Sequence, residues 1–159
     1  MGTNSGLYKV LVVLHLIAVV GGIGTVCLNG IYAAKAKKAG GAGGTAVSLA
    51  NYEVSSVAEK LIYLIPVFGI AAVLASDDAI SMGDTWISLS LLLYVVAVGI
   101  SHAVLIPGHR RYNALAAEEG GPSVGAEAQG LEKKMAAAGG TLNVLVVVLI
   151  ALMVWKPGA

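Results

Sequence analysis

Between Lys9 and Lys35 the chain carries no Asp, Glu, Lys or Arg. A bilayer core about 30 Å thick is crossed by about 20 apolar residues in helical form, so this one stretch is long enough to span a membrane. Three more stretches meet the same standard. The predicted spans cover about 7–34, 57–75, 86–107 and 135–155. With 57% hydrophobic and 12% charged residues and a mean hydropathy of +0.84, little of the chain is left for anything but membrane. The predicted fold class is all-α: a polytopic four-transmembrane-helix bundle forming a single membrane domain over 1–159. The first stretch exceeds a signal-peptide apolar core of about 7–15 residues and ends at Lys35, Lys37 and Lys38, so it reads as a retained anchor.

Orientation follows from the basic residues, which concentrate on the cytoplasmic side when loops are short. Lys35, Lys37, Lys38 and Lys60 flank the first connection, and Arg110, Arg111, Lys133 and Lys134 flank the third; the second, SDDAISMGD, is acidic. Eight of ten positive charges thus fall on one side. Both termini are expected outside, with cytoplasmic loops at 35–56 and 108–134, in a bacterial-style inner membrane. Trp86 and Trp155 then fall at the outer interface, where indoles are favoured.

In the loops, Ser56-Val-Ala-Glu59 fits a capping box and predicts a helix restarting there. The stretch from Asn113 to Lys134 reads as a linker with helical ends. Lys35, Lys37, Lys38, Arg110 and Arg111 are candidates for anionic lipid headgroups. Neither loop has room for a soluble domain. A net charge of +1 leaves no nucleic-acid footprint. The lone Cys27 excludes a disulfide framework within the chain, and no Walker loop, nucleophile elbow, zincin or calcium-loop motif occurs. No catalytic residues and no metal ligands are assigned.

What remains is the polar content of the spans. His15, Ala18, Gly22, Thr25, Asn29 and Tyr32 recur at spacings of three and four, so they share one helix face. Small residues let helices approach closely and polar ones hydrogen-bond across the contact, so this stripe is a packing face. Gly99 and His102 on the third span, and Gly139, Gly140 and Asn143 on the fourth, are expected to pack likewise. Pro66 removes a backbone donor inside the second span and predicts a bend near Ile62. Counting along the helices at about 1.5 Å per residue puts His15 and His102 about 15–20 Å apart in depth, too far to share a ligand. His109, beside Arg110 and Arg111, reads as interfacial.

The segments HLIAVVGGIG from His15 and GISHAVLIPGHRRY from Gly99 resemble spans of the small bacterial membrane protoporphyrinogen oxidases, and more broadly a set of uncharacterised bacterial integral membrane proteins. The resemblance implies a haem-binding helix bundle with His15 as ligand. It also implies a lysine near the outer end of the third span, where this chain reads DTWISLSLLLY, and a tryptophan shortly after the histidine, where it has Gly21 and Gly22. The oxidase reaction is therefore not assigned. Two function classes stay open. One is a non-catalytic accessory or structural subunit of a larger membrane complex, with no cofactor, whose partners are the bilayer and other membrane subunits or itself. The alternative is a haem- or porphyrin-binding membrane protein using His15. A transporter ranks third, because the spans hold no paired carboxylates.

Overall fold

The computed structural model describes residues 2–77, 79–118 and 125–158. Asp78 of the acidic turn and residues 119–124 of the predicted linker lie outside the described residues. Four long helices run up and down: α1 Gly6–Ala39, α2 Gly41–Leu74, α3 Thr85–Glu118 and α4 Ala126–Trp155. Each is long and apolar enough to cross a membrane. Among the described residues there is no strand.

All four helices outrun their apolar segments at the same end of the bundle. α2 begins sixteen residues before Val57, about 24 Å at 1.5 Å per residue, and α3 continues eleven residues past Pro107. The stretch 41–56, read from sequence as loop, is thus helix, while the second connection has the expected helical ends, up to Glu118 and from Ala126. The predicted restart at Ser56 is corrected by this geometry. The α1–α2 turn is made at Gly40 and Gly41, whose φ of +63° and +47° favour glycine, and the helix resumes at once. Ser56 is then mid-helix, and its hydroxyl donates back to the Glu53 carbonyl at 2.7 Å. Low glycine propensity over 40–44 is overridden by packing: Gly44 and Ala36 are both buried.

The contacts define two hairpins, α1 with α2 and α3 with α4, joined along α2 and α3. Alanine supplies most of the buried apolar positions, including Ala18, Ala58, Ala72, Ala116, Ala128 and Ala138. That is the composition expected where lipid removes the hydrophobic drive between helices and close backbone approach must supply the attraction. Past the apolar segments the contacts become polar. Ser48 Oγ donates to Asn113 Oδ1 at 3.1 Å, Lys37 pairs with Glu132 at 3.0 Å, and Arg111 forks onto both oxygens of Glu127 at 2.7 and 3.1 Å.

Two helices change pitch locally. In α1 a π-helical turn spans Val19–Ile23; Thr25 Oγ1 donates to the Gly21 carbonyl at 2.7 Å, and a tightened turn follows, with Leu28 N–H on Thr25 O at 3.1 Å. In α3 a π-turn spans Ser101–Leu105, two residues before Pro107, which has no N–H to continue the α-helical ladder. The acidic turn is organised by Ser76, fully buried, whose hydroxyl lies 2.7 Å from Val73 O and 3.1 Å from Ile80 O and accepts the Ile80 N–H at 3.1 Å.

Candidate functional site

The predicted stripe on α1 is a packing face over most of its length. Ala18 is 1% exposed. A Cβ on Gly22 would lie 2.9 Å from Ile62 Cγ1, 3.0 Å from Ile62 N and 3.2 Å from Ala58 O, so α2 backbone fills the notch. Asn29 Oδ1 accepts from Ser55 Oγ at 3.0 Å. Thr25 instead bonds within α1, and Tyr32 at the stripe's end is exposed.

His15 closes this seam at the end nearer the N-terminus. Its Nδ1 lies 2.8 Å from the Ile65 carbonyl; a carbonyl only accepts, so Nδ1 carries the proton. The ring rests on Gly69, where an added Cβ would come within 3.1 Å of both Cε1 and Nδ1. One turn away, Pro66 cannot donate to the Ile62 carbonyl, and Tyr94 Oη of α3 does so at 3.2 Å. The bend residue predicted from sequence is thus matched by a side-chain donor from a neighbouring helix.

A second polar cluster joins α2 and α3. Tyr63 Oη bonds to Glu59 Oε1 and lies 2.8 Å from His102 Nε2, while His102 Nε2 is 3.6 Å from the same carboxylate oxygen. The other ring nitrogen of His102 donates to Val98 O at 3.0 Å. Sequence reasoning found His102 but missed Glu59 and Tyr63, having used Glu59 as a cap. The available signal was their i, i+4 spacing at the entrance to an apolar run. His15 and His102 do not meet. Their partners on α2, Ile65 and Gly69 against Glu59 and Tyr63, are centred six residues apart, about 9 Å along the axis. This is less than the depth offset counted from span midpoints.

Other sequence-predicted positions separate into engaged and open. Gly99 and Asn143 are exposed, and a Cβ on Gly99 would meet nothing within 4 Å. Within this chain they are not packing residues, because the α3–α4 contact uses another face: Gly108 meets Met135 there, with an added Cβ 2.9 Å from Met135 Cγ. Lys37 and Arg111, expected at lipid headgroups, are held by Glu132 and Glu127, whereas Lys35, Lys38 and Arg110 are exposed with no ion pair among the described residues. The Arg111 hydrogen bonds hold the Glu127 carboxyl below its ordinary 4.5. Trp86 is buried, 6% exposed, with the Lys156 ammonium 5.6 Å from its ring centroid, so only Trp155 presents an open indole. His109 donates from Nδ1 to Leu105 O at 2.8 Å. Cys27 is half-buried, and no group of three His, Cys, Asp or Glu gathers among the described residues.

Whether His15 fits a haem can be judged from its surroundings. With Nδ1 on Ile65, Nε2 keeps a lone pair of the kind a metal takes. Yet the apolar groove beside α1, lined by Val13, Leu16, Ile17, Val20 and Gly21, lies across the helix from position 15 at 100° per residue. The Gly22 notch is filled by Ile62. These residues do not form a cradle for a planar macrocycle around His15, and no chemistry is derived through one.

Fold and site together define a polytopic α-helical membrane protein with polar clusters between its helices. The chain matches the model of the DUF2269 family, described as predicted integral membrane protein, over residues 9–157, and it belongs to that family. No curated protein and no solved structure matches it. Nothing in the family match extends the resemblance to protoporphyrinogen oxidases.

Proposed function

We propose that this protein is a non-catalytic subunit of a larger assembly in the bacterial inner membrane, with its basic end in the cytoplasm and both termini outside. The observation that carries the reading is Asn143. It stands two residues before the middle of the apolar part of α4, is exposed, and has no hydrogen-bond partner among the described residues. An unpaired amide at that depth is costly, and interhelical hydrogen bonds there contribute about 0.6–2 kcal/mol. Gly140, one turn away, is exposed with open space above it, so a further helix can approach closely enough to reach the amide. The sidedness rests on Lys35, Lys37, Lys38, Arg110, Arg111, Lys133 and Lys134 meeting at one end of the bundle. Exposed Lys35, Lys38 and Arg110 are available there to anionic headgroups.

The test is native electrophoresis of membranes solubilised in mild detergent. Wild-type protein should migrate in a species larger than one chain, and Asn143→Leu or Gly140→Leu should release it; a wild-type monomer in native membranes would overturn the reading. The alternative, haem on His15, is favoured only by the free lone pair of Nε2. A Soret band in the purified protein that disappears in His15→Ala would reverse the preference.

A further inference from the structure

The cluster of Glu59, Tyr63 and His102 sits apart from the packing seam and from Asn143, and its hydrogen-bond valence is constrained. Val98 O accepts from His102 Nδ1, which leaves Nε2 to face Tyr63 Oη at 2.8 Å, while the same hydroxyl bonds to Glu59 Oε1. A phenol has one proton to give. If Tyr63 donates to Glu59, then Nε2 must donate to Tyr63, and His102 is an imidazolium facing a carboxylate. If Tyr63 donates to a neutral His102, the carboxyl of Glu59 must carry the proton and donate to Tyr63. Both arrangements hold the same protons and are net neutral. Remove that proton and one of the two contacts becomes lone pair against lone pair.

We propose that Glu59, Tyr63 and His102 form a proton-binding site that holds one proton shared between carboxylate and imidazole across the tyrosine hydroxyl. Exchange between the two forms is balanced. Nε2 gives its proton to the phenolic oxygen as the phenol gives its own to Glu59, and the reverse step restores the imidazolium. The setting favours the neutral cluster, because α2 turns apolar directly after Lys60 and His102 lies within the apolar part of α3, where a lone carboxylate is expensive. His102 and Glu59 are 49% and 33% exposed at their side chains, so the site lies open on the side of the bundle. His102 also stands on the π-turn Ser101–Leu105, an irregularity found often at functional sites.

The ionisable neighbours are few. On α2 Lys60 adjoins Glu59; on α3 Tyr94 is committed to Ile62 O; α4 has no ionisable side chain between Lys134 and Lys156; and α1 has only His15, Cys27 and Tyr32 between Lys9 and Lys35. Proton loss at rising pH therefore opens one of the Tyr63 contacts and loosens the α2–α3 junction at that height.

The test is nitrogen NMR of histidine-labelled full-length protein in lipid nanodiscs, with His15→Gln and His109→Gln assigning the His102 signals by elimination. It is paired with the infrared carboxyl band that Glu59→Gln removes. At pH 7.5 the wild-type protein should show a doubly protonated His102 or a protonated Glu59. Where the imidazolium form is seen, it should give way to the singly protonated ring at the same pH in Tyr63→Phe or Glu59→Gln, which each remove one of the two contacts that hold the shared proton. A singly protonated His102 together with an ionised Glu59 in the wild type would overturn the proposal, and needs no variant at the site to be seen.

Discussion

His15 and His102 are the same side chain on two apolar helices, each close to a π-turn, and each has Nδ1 on a backbone carbonyl. They differ in what surrounds the rest of the ring. His15 is pressed on Gly69 between α1 and α2, and its bond crosses from one helix to the other. His102 bonds within its own helix through Nδ1 and reaches α2 through a tyrosine and a carboxylate, at an open edge. The contrast separates two uses of a polar residue in a membrane. Where small residues let the backbones close in, the polar group becomes one more packing contact. Where they do not, it must recruit ionisable partners, and the cluster acquires a protonation state of its own.

The sharpest way to break that contrast is to add a methyl group on each side of it. Gly22→Ala puts a Cβ into the backbone of Ile62 and Ala58 and should destabilise the protein by about 1–3 kcal/mol. Gly99→Ala enters open space and should be neutral or stabilising by up to about 1 kcal/mol through helix propensity. Unfolding by SDS in mixed micelles measures both; equal effects would mean that the two regions are not differently packed.

Much of this was legible in the sequence, and the physical reason differs from feature to feature. The four helices follow from run length alone, and the Ala18 and Gly22 contact from three- and four-residue spacing, because both depend only on helix geometry. The helical extension over 41–56 was not legible, since its glycines argue locally for a break and only burial of Gly44 against α1 overrides them. Gly99 and Asn143 have the same residue types as the packed stripe but lie on an outer face; residue type does not encode which face a neighbour covers. Glu59 was visible but assigned to a cap that the continuous helix never needs.

The next largest effect belongs to Tyr94, which lies between the two histidine levels. Tyr94→Phe leaves the Ile62 carbonyl with neither a phenol nor the missing Pro66 N–H, and should cost about 1–2 kcal/mol. In a Pro66→Ala background the helix restores its own donor, and the same substitution should cost under about 0.5 kcal/mol. A double-mutant cycle reads the coupling directly; additive costs would show that Tyr94 does not compensate the proline.

Replacing each histidine then compares the closed and open settings head to head. His15→Leu removes an interhelical bond and should cost about 1 kcal/mol, whereas His102→Leu, at a half-exposed ring, should cost under about 0.5 kcal/mol at neutral pH. The same SDS titration decides the order. A reversed order would place the stronger polar helix contact at the Glu59 cluster rather than at the α1–α2 seam.

The smallest effect is expected where the setting is fully aqueous, at Arg111 and Glu127. The guanidinium hydrogen bonds lower the Glu127 carboxyl below 4.5 in the folded protein, so folding favours the ionised form. A group depressed in this way contributes stability that is present above its unfolded pKa and is lost as pH falls through the folded value. The stability gap between wild type and Arg111→Gln should therefore be small and constant above about pH 5.5, then close below 4.5 as Glu127 takes up its proton. It should also shrink in high salt, because both side chains are solvated. Arg110→Gln, whose arginine has no ion pair among the described residues, should show no such pH-dependent gap. A gap for Arg111→Gln that does not narrow at all as the pH falls below 4.5 would mean that the fork acts through packing of its aliphatic stem rather than charge, making even the solvated end of the bundle resemble the His15 seam.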